Sequence, residues 1–424
     1  MSVSILPTEP PDAFGGEFAD DPVRVAVIGL GYWGPNLVRN LQALPGADLQ
    51  MICDKNGQRL DQITRRYPTS RTTVDYADVL EDDGIEAVVI ATPIGTHYRL
   101  ADAALRAGKH VFVEKPLAAS SADAQALADT AAQGGLVLLP GHTFLYSPPV
   151  LKIRDLIREG ALGDIYFVST SRVNLGLHQT DASVVWDLGP HDFSILQFWL
   201  EETPTMVSAI SRNCIMPRTP DVTFINLEYA SETIAQVELS WLAPSKLRRT
   251  TIVGSEAMVV YDDTSNEPVR VFDSGVSFPD PESFGEYRLS YRTGDIVSPR
   301  IAVAEPLALE LADFCTAIRT GCAPHCTPQL GVDVVRVIEA VDASLATGQR
   351  VALAPAADAA AEPVGAPGDA GPRDGVAHAV PPLREVSIPA PERRGVGHRA
   401  TARQGDADRD VPLRADASKG HSHG

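Results

Sequence analysis

The chain has no run of about 18 consecutive apolar residues, the length a membrane-spanning helix needs, so no transmembrane span is expected. Its first residues carry Glu9, Asp12, Glu17, Asp20 and Asp21 among early prolines. They lack the basic and apolar regions of a secretory signal, and the expected location is cytoplasmic. Basic charge is short as well. Lys and Arg number 36 against 55 Asp and Glu, for a net charge of −19. That argues against a nucleic-acid partner, because phosphate binding is driven by basic surface. Cysteine is scarce, and Cys53, Cys214, Cys315, Cys322 and Cys326 form no CxxC pair. Cys322 and Cys326 beside His325 could in principle ligate a metal, but reduced structural thiols are the simpler reading, so no metal is expected. No internal repeat is evident. Large apolar residues are few at both ends. Residues 1–22 are rich in proline, glycine and acid, and the chain from Ala354 is rich in Ala, Pro, Gly, Asp and Arg, with ten acidic and nine basic residues. Neither end can bury enough surface to offset its ordering entropy, so 1–22 and 354–424 are expected to be disordered.

The rest is long enough for two domains with a substantial core, and a hydrophobic content of 44% suits a globular protein. Val23 to Ile28 is a short β-branched run that reads as a buried parallel strand. Gly29, Leu30, Gly31, Tyr32, Trp33 and Gly34 follow at once, and Pro35 to Leu44 reads as a helix. Strand, GxGxxG and helix is the context of a dinucleotide-binding turn. Gly29 permits the turn, Gly31 admits a pyrophosphate close to the backbone, and Gly34 lets helix and strand pack. The helix N-terminus offers free N–H groups to phosphate. A second strand, Asp48 to Cys53, ends at Asp54. An acidic group there can accept hydrogen bonds from the adenosine ribose and would repel the extra phosphate of NADP, so NAD is the expected cofactor. Asp54 to Gly57 is also a turn-rich string, which leaves a capping role open for Asp54.

Further strands read at Glu86 to Ala91, Lys109 to Val113 and Leu136 to Pro140. Helices read at Tyr98 to Ala107 and at Ser120 to Gln133, the latter with a serine cap. This alternation predicts a doubly wound parallel sheet, whose ligands bind outside the carboxyl ends of the strands. The glycine turn, Thr92, Pro93, His97 and the string Glu114-Lys115-Pro116 all fall at those ends. The lysine comes about eighty residues after the glycines. His97 could lie by the cofactor or simply begin a helix; Glu114 is counted among the cofactor contacts, and could orient Lys115 or do chemistry itself.

Taken together, Gly29 to Leu41, Thr92-Pro93 with Thr96-His97, Glu114-Lys115-Pro116 and Trp186-Asp187-Leu188-Gly189-Pro190-His191-Asp192 resemble the glucose–fructose oxidoreductase, inositol dehydrogenase and rhizopine-catabolism (Gfo/Idh/MocA) family. The likeness covers roughly Val23 to Ala352. More loosely, the strings GYWGPNLVRNL and WDLGPHD resemble nucleotide-sugar 3-dehydrogenases. The resemblance implies a Rossmann domain, placed here at 23–142, then an α+β domain, placed at 143–353, with an open, mainly antiparallel sheet. One face of that sheet would cover the active site and the other would contact a subunit, giving a homodimer or homotetramer. The sequence fits. Strands read at Asp164 to Arg172, Val222 to Tyr229, Thr233 to Trp241, Arg249 to Gly254 and Met258 to Asp262, and helices at Pro306 to Thr320 and Leu330 to Ala346, stopped by Gly321 and Gly348.

The resemblance also assigns acid and base work to Lys115, Asp187 and His191. Imidazole suits proton transfer near neutral pH, so His191 reads as the base. Pro190 is best tolerated in a first helical turn, so a helix is expected to begin close to Asp187, with its positive end keeping His191 neutral. Bland readings stand beside these: a surface lysine, a capping aspartate, a core histidine. Tyr146, Arg172 and Asn174 are the candidate substrate contacts, with interface packing as the alternative for Tyr146 and Arg172. The expected reaction is NAD-dependent oxidation of the C3 hydroxyl of a nucleotide-linked sugar. The alternatives are a free inositol or sugar as substrate, reduction of a keto-deoxysugar nucleotide, or a sensor that binds without turnover.

Overall fold

The computed structural model describes residues 21–176, 182–277 and 290–353. Six strands form the first sheet: β1 (Val23–Ile28), β2 (Ala47–Cys53), β3 (Arg71–Thr73), β4 (Ala87–Ile90), β5 (His110–Glu114) and β6 (Leu138–Gly141). Their order is β3-β2-β1-β4-β5-β6, and every pairing is parallel. This is the doubly wound arrangement, whose direction of winding reverses between β1 and β4. The connecting helices are α1 (Gly34–Ala43), α2 (Gly57–Arg66), α3 (Tyr76–Leu80), α4 (His97–Arg106) and α5 (Ser121–Gly134). Val25, Val27, Val88 and Val89 are wholly buried, as strands covered on both faces must be. Ser120 caps α5 as expected, its side chain accepting from the Asp123 N–H. Asn56 rather than Asp54 caps α2, so the turn-rich string opens a helix that the sequence reading missed.

After α6 (Pro148–Arg158), the chain builds a second sheet of nine strands. These are β7 (Ile165–Leu175), β8 (Met206–Arg212), β9 (Val222–Glu228), β10 (Ile234–Ser240), β11 (Leu242–Gly254), β12 (Met258–Asp262), β13 (Val269–Ser277), β14 (Ser290–Val297) and β15 (Val351–Ala352). Their order is β14-β13-β12-β11-β7-β10-β9-β8-β15, antiparallel except where β10 runs parallel to β7. Three helices accompany it: α7 (Val184–Leu200), α8 (Pro306–Thr320) and α9 (Pro328–Thr347). Gly321 and Gly348 end α8 and α9 in the left-handed conformation, at φ 70° and 68°. Along β9 and β10, Ile225, Leu227, Ala235, Val237 and Leu239 are buried, while Phe224 and Ile234 are exposed. The period-two pattern gives the sheet one covered and one open face. One hydrophobic core runs from β1 and α1 through α6, α7 and α8 to β9 and β10, so the two sheets are joined by packing. No helix among the described residues is long and apolar enough to cross a membrane.

One expectation is corrected. α7 begins at Val184, capped by Ser183, and Pro190 lies inside it. The apolar run Val184-Val185-Trp186 supplies a first turn ahead of Asp187. Asp187 therefore sits in that first turn and is not the cap, and His191 lies a full turn further along. A helix-end charge acts over the terminal turn only, so it is not what keeps His191 neutral.

Candidate active site at the junction of the two sheets

The glycine turn leaves β1 with Gly29 at φ 96°, a conformation that L side chains rarely adopt. A Cβ on Gly34 would stand 2.1 Å from the Gly29 carbonyl oxygen, so helix and turn touch only because position 34 is bare. At Gly31 a Cβ would meet nothing nearer than 3.9 Å, which leaves the outer side of the turn open to a ligand. The first turn of α1 has no acidic residue and no side-chain cap, a setting open to an anion, although its Asn36 and Leu37 N–H groups already donate to the Trp33 carbonyl oxygen. Tyr32 and Trp33 are exposed beside it, edge to face at 5.7 Å. Asp54, almost buried at the end of β2, accepts from the Leu30 N–H and, at 2.7 Å, from the Asn56 N–H. Arg59 lies 3.7 Å away. A carboxylate has about four acceptor sites, so Asp54 can brace the turn and still accept from a ribose. These residues fit a dinucleotide.

Lys115 stands just beyond β5, before a cis peptide to Pro116. Its Nζ donates to the Asp187 carbonyl oxygen at 2.7 Å and lies 3.5 Å from Asp187 Oδ1. Pro190 has no N–H to return to the Trp186 carbonyl, so the helical ladder breaks one position ahead of the carbonyl that Lys115 takes. The Asp187 carboxylate also accepts from Trp241 Nε1 at 3.1 Å. Burial lowers the Lys115 pKa from its usual value, and the charges of Asp187 and Glu114 oppose that shift. Glu114 is buried, and desolvation raises its pKa to about 7 against the pull of Lys115. It belongs behind the lysine, and the reading of Glu114 as a cofactor contact is corrected accordingly.

His191 follows Asp187 by one helical turn. Its Nδ1 is buried without a hydrogen-bond partner, and its ring meets Phe144 edge to face at 4.8 Å. Burial, then the Lys115 and Arg172 charges, hold its pKa well below the usual imidazole value. Lys115, at the end of a first-sheet strand, is thus bonded to the turn of α7 that precedes His191. On β7, Thr170, Arg172 and Asn174 share the face turned toward α7. Asp192 accepts from Arg172 Nε and from the Thr170 hydroxyl. Arg172 Nη1 and Asn174 Oδ1 are buried without partners. The Arg172 and Arg248 guanidiniums approach the Phe144 ring at 4.8 and 5.2 Å. Arg172 is thus first a buried ion pair, with one nitrogen to spare.

Two sequence expectations fail here. Tyr146 is 1% exposed, and its hydroxyl donates to Asp313 at 2.7 Å, so it cannot meet a substrate. His97 is 1% exposed, with Nε2 2.8 Å from the Thr92 carbonyl oxygen and Nδ1 2.9 Å from that of Pro116, so it does not reach a cofactor. Thr92 and Pro93 do lie at the exit of β4, against the glycine turn: a Cβ on Gly29 would come within 2.8 Å of Thr92 Cγ2. Sequence reasoning missed Trp241, Phe144 and Asp192. Only Asp192 had a local signal, since it stands next to His191 in the quoted string.

A dinucleotide turn on a doubly wound sheet, facing a polar cluster from a second sheet, defines an NAD-binding oxidoreductase of two-sheet architecture. Comparison with known proteins gives the family. Residues 23–142 match the oxidoreductase family with NAD-binding Rossmann fold, and residues 150–260 match the GFO/IDH/MocA C-terminal domain. The chain belongs to the Gfo/Idh/MocA oxidoreductases, and NAD is its cofactor. It is 28% identical over 319 residues to a scyllo-inositol 2-dehydrogenase (NAD(+)) of Bacillus subtilis, covering 72% of this chain and 89% of that protein. It is 34% identical over 147 residues to the dTDP-3,4-didehydro-2,6-dideoxy-α-D-glucose 3-reductase of Actinomadura kijaniata, over 34% of this chain and 44% of that one. Among solved structures, GenD2 from gentamicin A biosynthesis in complex with NAD aligns with a TM-score of 0.68 at 25% identity, covering 80% of this chain and 99% of that chain.

Proposed function

We propose that the protein oxidises the C3 hydroxyl of a nucleotide-linked sugar, UDP-N-acetylglucosamine or its uronic acid, to a 3-keto sugar. NAD, held by Gly29, Gly31, Tyr32, Trp33, Gly34, Asp54, Thr92 and Pro93, supplies the hydride acceptor when bound. Lys115 donates a hydrogen bond to the reacting oxygen and stabilises it as its proton leaves. His191 takes that proton, since burial keeps the ring neutral and able to accept. Asp187 orients Lys115 from its place on α7. Arg172 Nη1 and Asn174 Oδ1 supply a donor and an acceptor for the sugar. The observation that carries the reading is the bond from Lys115 Nζ to the turn of α7 ahead of His191.

The sequence string around the glycine turn and the deoxysugar-nucleotide relative favour a nucleotide-linked substrate. The inositol dehydrogenase relative favours a free polyol and supplies the second reading. Purified protein with NAD is offered UDP-N-acetylglucosamine, its uronic acid and scyllo-inositol, and NADH absorbance is followed. NADH from scyllo-inositol alone discards the nucleotide sugar. Lys115→Ala and His191→Ala each lower kcat by about 100-fold while NADH still binds. Wild-type rates in both remove them from the mechanism. The open face of the second sheet carries neighbouring exposed pairs, Ile210 with Phe224 and Ile234 with Phe167, and we assign it to self-association into a homodimer or homotetramer.

A further inference from the structure

Strands β4 and β5 are laddered together only as far as Ile90 and Val113. Beyond that point the two chains diverge, one into the loop at Thr92 and Pro93, the other into Glu114, Lys115 and Pro116. The first packs against the glycine turn. The second carries the ammonium. No paired strand joins these segments, yet the distance between them governs where Lys115 stands relative to a cofactor seated on the turn. His97 occupies the gap. Its ring lies between the Thr92 and Pro116 carbonyl oxygens, at 2.8 and 2.9 Å, and is shut off from solvent. The Thr92 hydroxyl is held separately by Thr96 at 2.7 Å, so the loop enters this arrangement already ordered.

We propose that His97 is a positioning residue that bolts the loop after β4 to the lysine segment after β5, and so sets where Lys115 stands relative to the glycine turn. Both partners of the ring are carbonyl oxygens, which only accept: the neutral ring that burial favours donates to one of them, and only the imidazolium donates to both. Imidazole reaches in opposite directions from one rigid ring, a span that a shorter or single-headed side chain cannot match. A 1 Å loosening of a supporting group is enough to spoil a reacting geometry. His97 touches neither cofactor nor substrate; it acts through Lys115, and the inference rests on the role given to Lys115 above.

The test reads the lysine directly and needs no substrate. Trace acetylation with acetic anhydride, followed by mass spectrometry, measures the reactivity of Lys115 against the exposed Lys246 in the same sample. Fluorescence titration with NADH measures the glycine side. In His97→Ala, Lys115 labelling rises at least threefold as its segment opens to water, and the NADH Kd rises about threefold. His97→Gln, which keeps one donor, lies nearer wild type in both. His97→Leu, which keeps the volume and loses both nitrogens, behaves like His97→Ala and serves if the smaller side chain fails to fold. Folded Ala or Leu variants with unchanged labelling and unchanged NADH affinity overturn the bolt. Full turnover by Lys115→Ala would instead sink the catalytic reading and leave the labelling result standing.

Discussion

His97 is buried and His191 half-buried where the two sheets meet, and their surroundings follow opposite rules. Around the glycine turn and the loop after β4 the polar groups are tied down. Both His97 nitrogens meet carbonyl oxygens, and both Asp54 oxygens accept backbone N–H groups. On the wall made by β7 and α7, polar atoms are left over: His191 Nδ1, Arg172 Nη1 and Asn174 Oδ1. Buried polar atoms without partners are uncommon in folded proteins, and each asks for an explanation. Here a single one follows. The first side must hold a fixed shape for a cofactor common to a large family. The second keeps hydrogen-bonding capacity, which the hydroxyl-rich substrate proposed above would use.

The largest test of that contrast is Asp192→Ala. Arg172 is tied at Nε and free at Nη1, so losing Asp192 leaves a buried guanidinium without its ion-pair partner. Removing one partner of a buried pair costs about 3–5 kcal/mol. Chemical denaturation should show that loss; a change under 1 kcal/mol would mean that water already reaches Arg172 and that the wall is not a dry, poised surface.

Glu114 comes next. Its folded pKa is raised from 4.5 to about 7, so between those values the folded protein holds a proton that the unfolded chain has released. Its contribution is therefore fully present below about 4.5 and is lost as pH rises through about 7, with an amplitude of about 3 kcal/mol. Glu114→Gln, which stays neutral, should flatten that part of the stability profile measured by denaturation from pH 5 to 8. An unchanged slope would place the titration elsewhere.

Asp54→Ala tests the cofactor side. Losing the ribose acceptor should weaken NAD binding about tenfold, or about 1.4 kcal/mol, and leave NADP nearly unaffected. The variant must be folded for the comparison, because Asp54 also braces Leu30. Equal losses for both cofactors would reduce Asp54 to a brace.

The sequence exposed the first side better than the second. Val23 to Ile28 and the glycines form a local pattern, and Met258–Asp262 and Pro306–Thr320 fall where their patterning places them. Pro190 reads from sequence as a first-turn proline because a rule about proline outweighs the serine cap and apolar turn ahead of it, and it lies inside the helix instead. The wall depends on pairings far apart in the chain: Arg172 with Asp192, Arg248 against Phe144, Trp241 with Asp187. No periodicity reports those. His97 shows the same limit from the other direction. Its motif marks it as placed at the strand ends, but only the fold reveals that both nitrogens already have acceptors.

The smallest effect should come from Trp241→Phe. Trp241 is buried and donates from Nε1 to the Asp187 oxygen that does not face Lys115, while Lys115 lies 3.5 Å from the other. Phenylalanine keeps most of the ring and removes the donor. Asp187 is partly open to solvent, so water can replace the lost bond, and the loss should be about 1 kcal/mol. If Trp241 only fills space, the variant changes thermal stability alone. If it fixes the carboxylate that orients Lys115, kcat falls about fivefold with NADH affinity unchanged, and the same substitution adds nothing in an Asp187→Ala background. Full additivity of the two changes would detach Trp241 from the lysine and leave Asp187 held by its own helix.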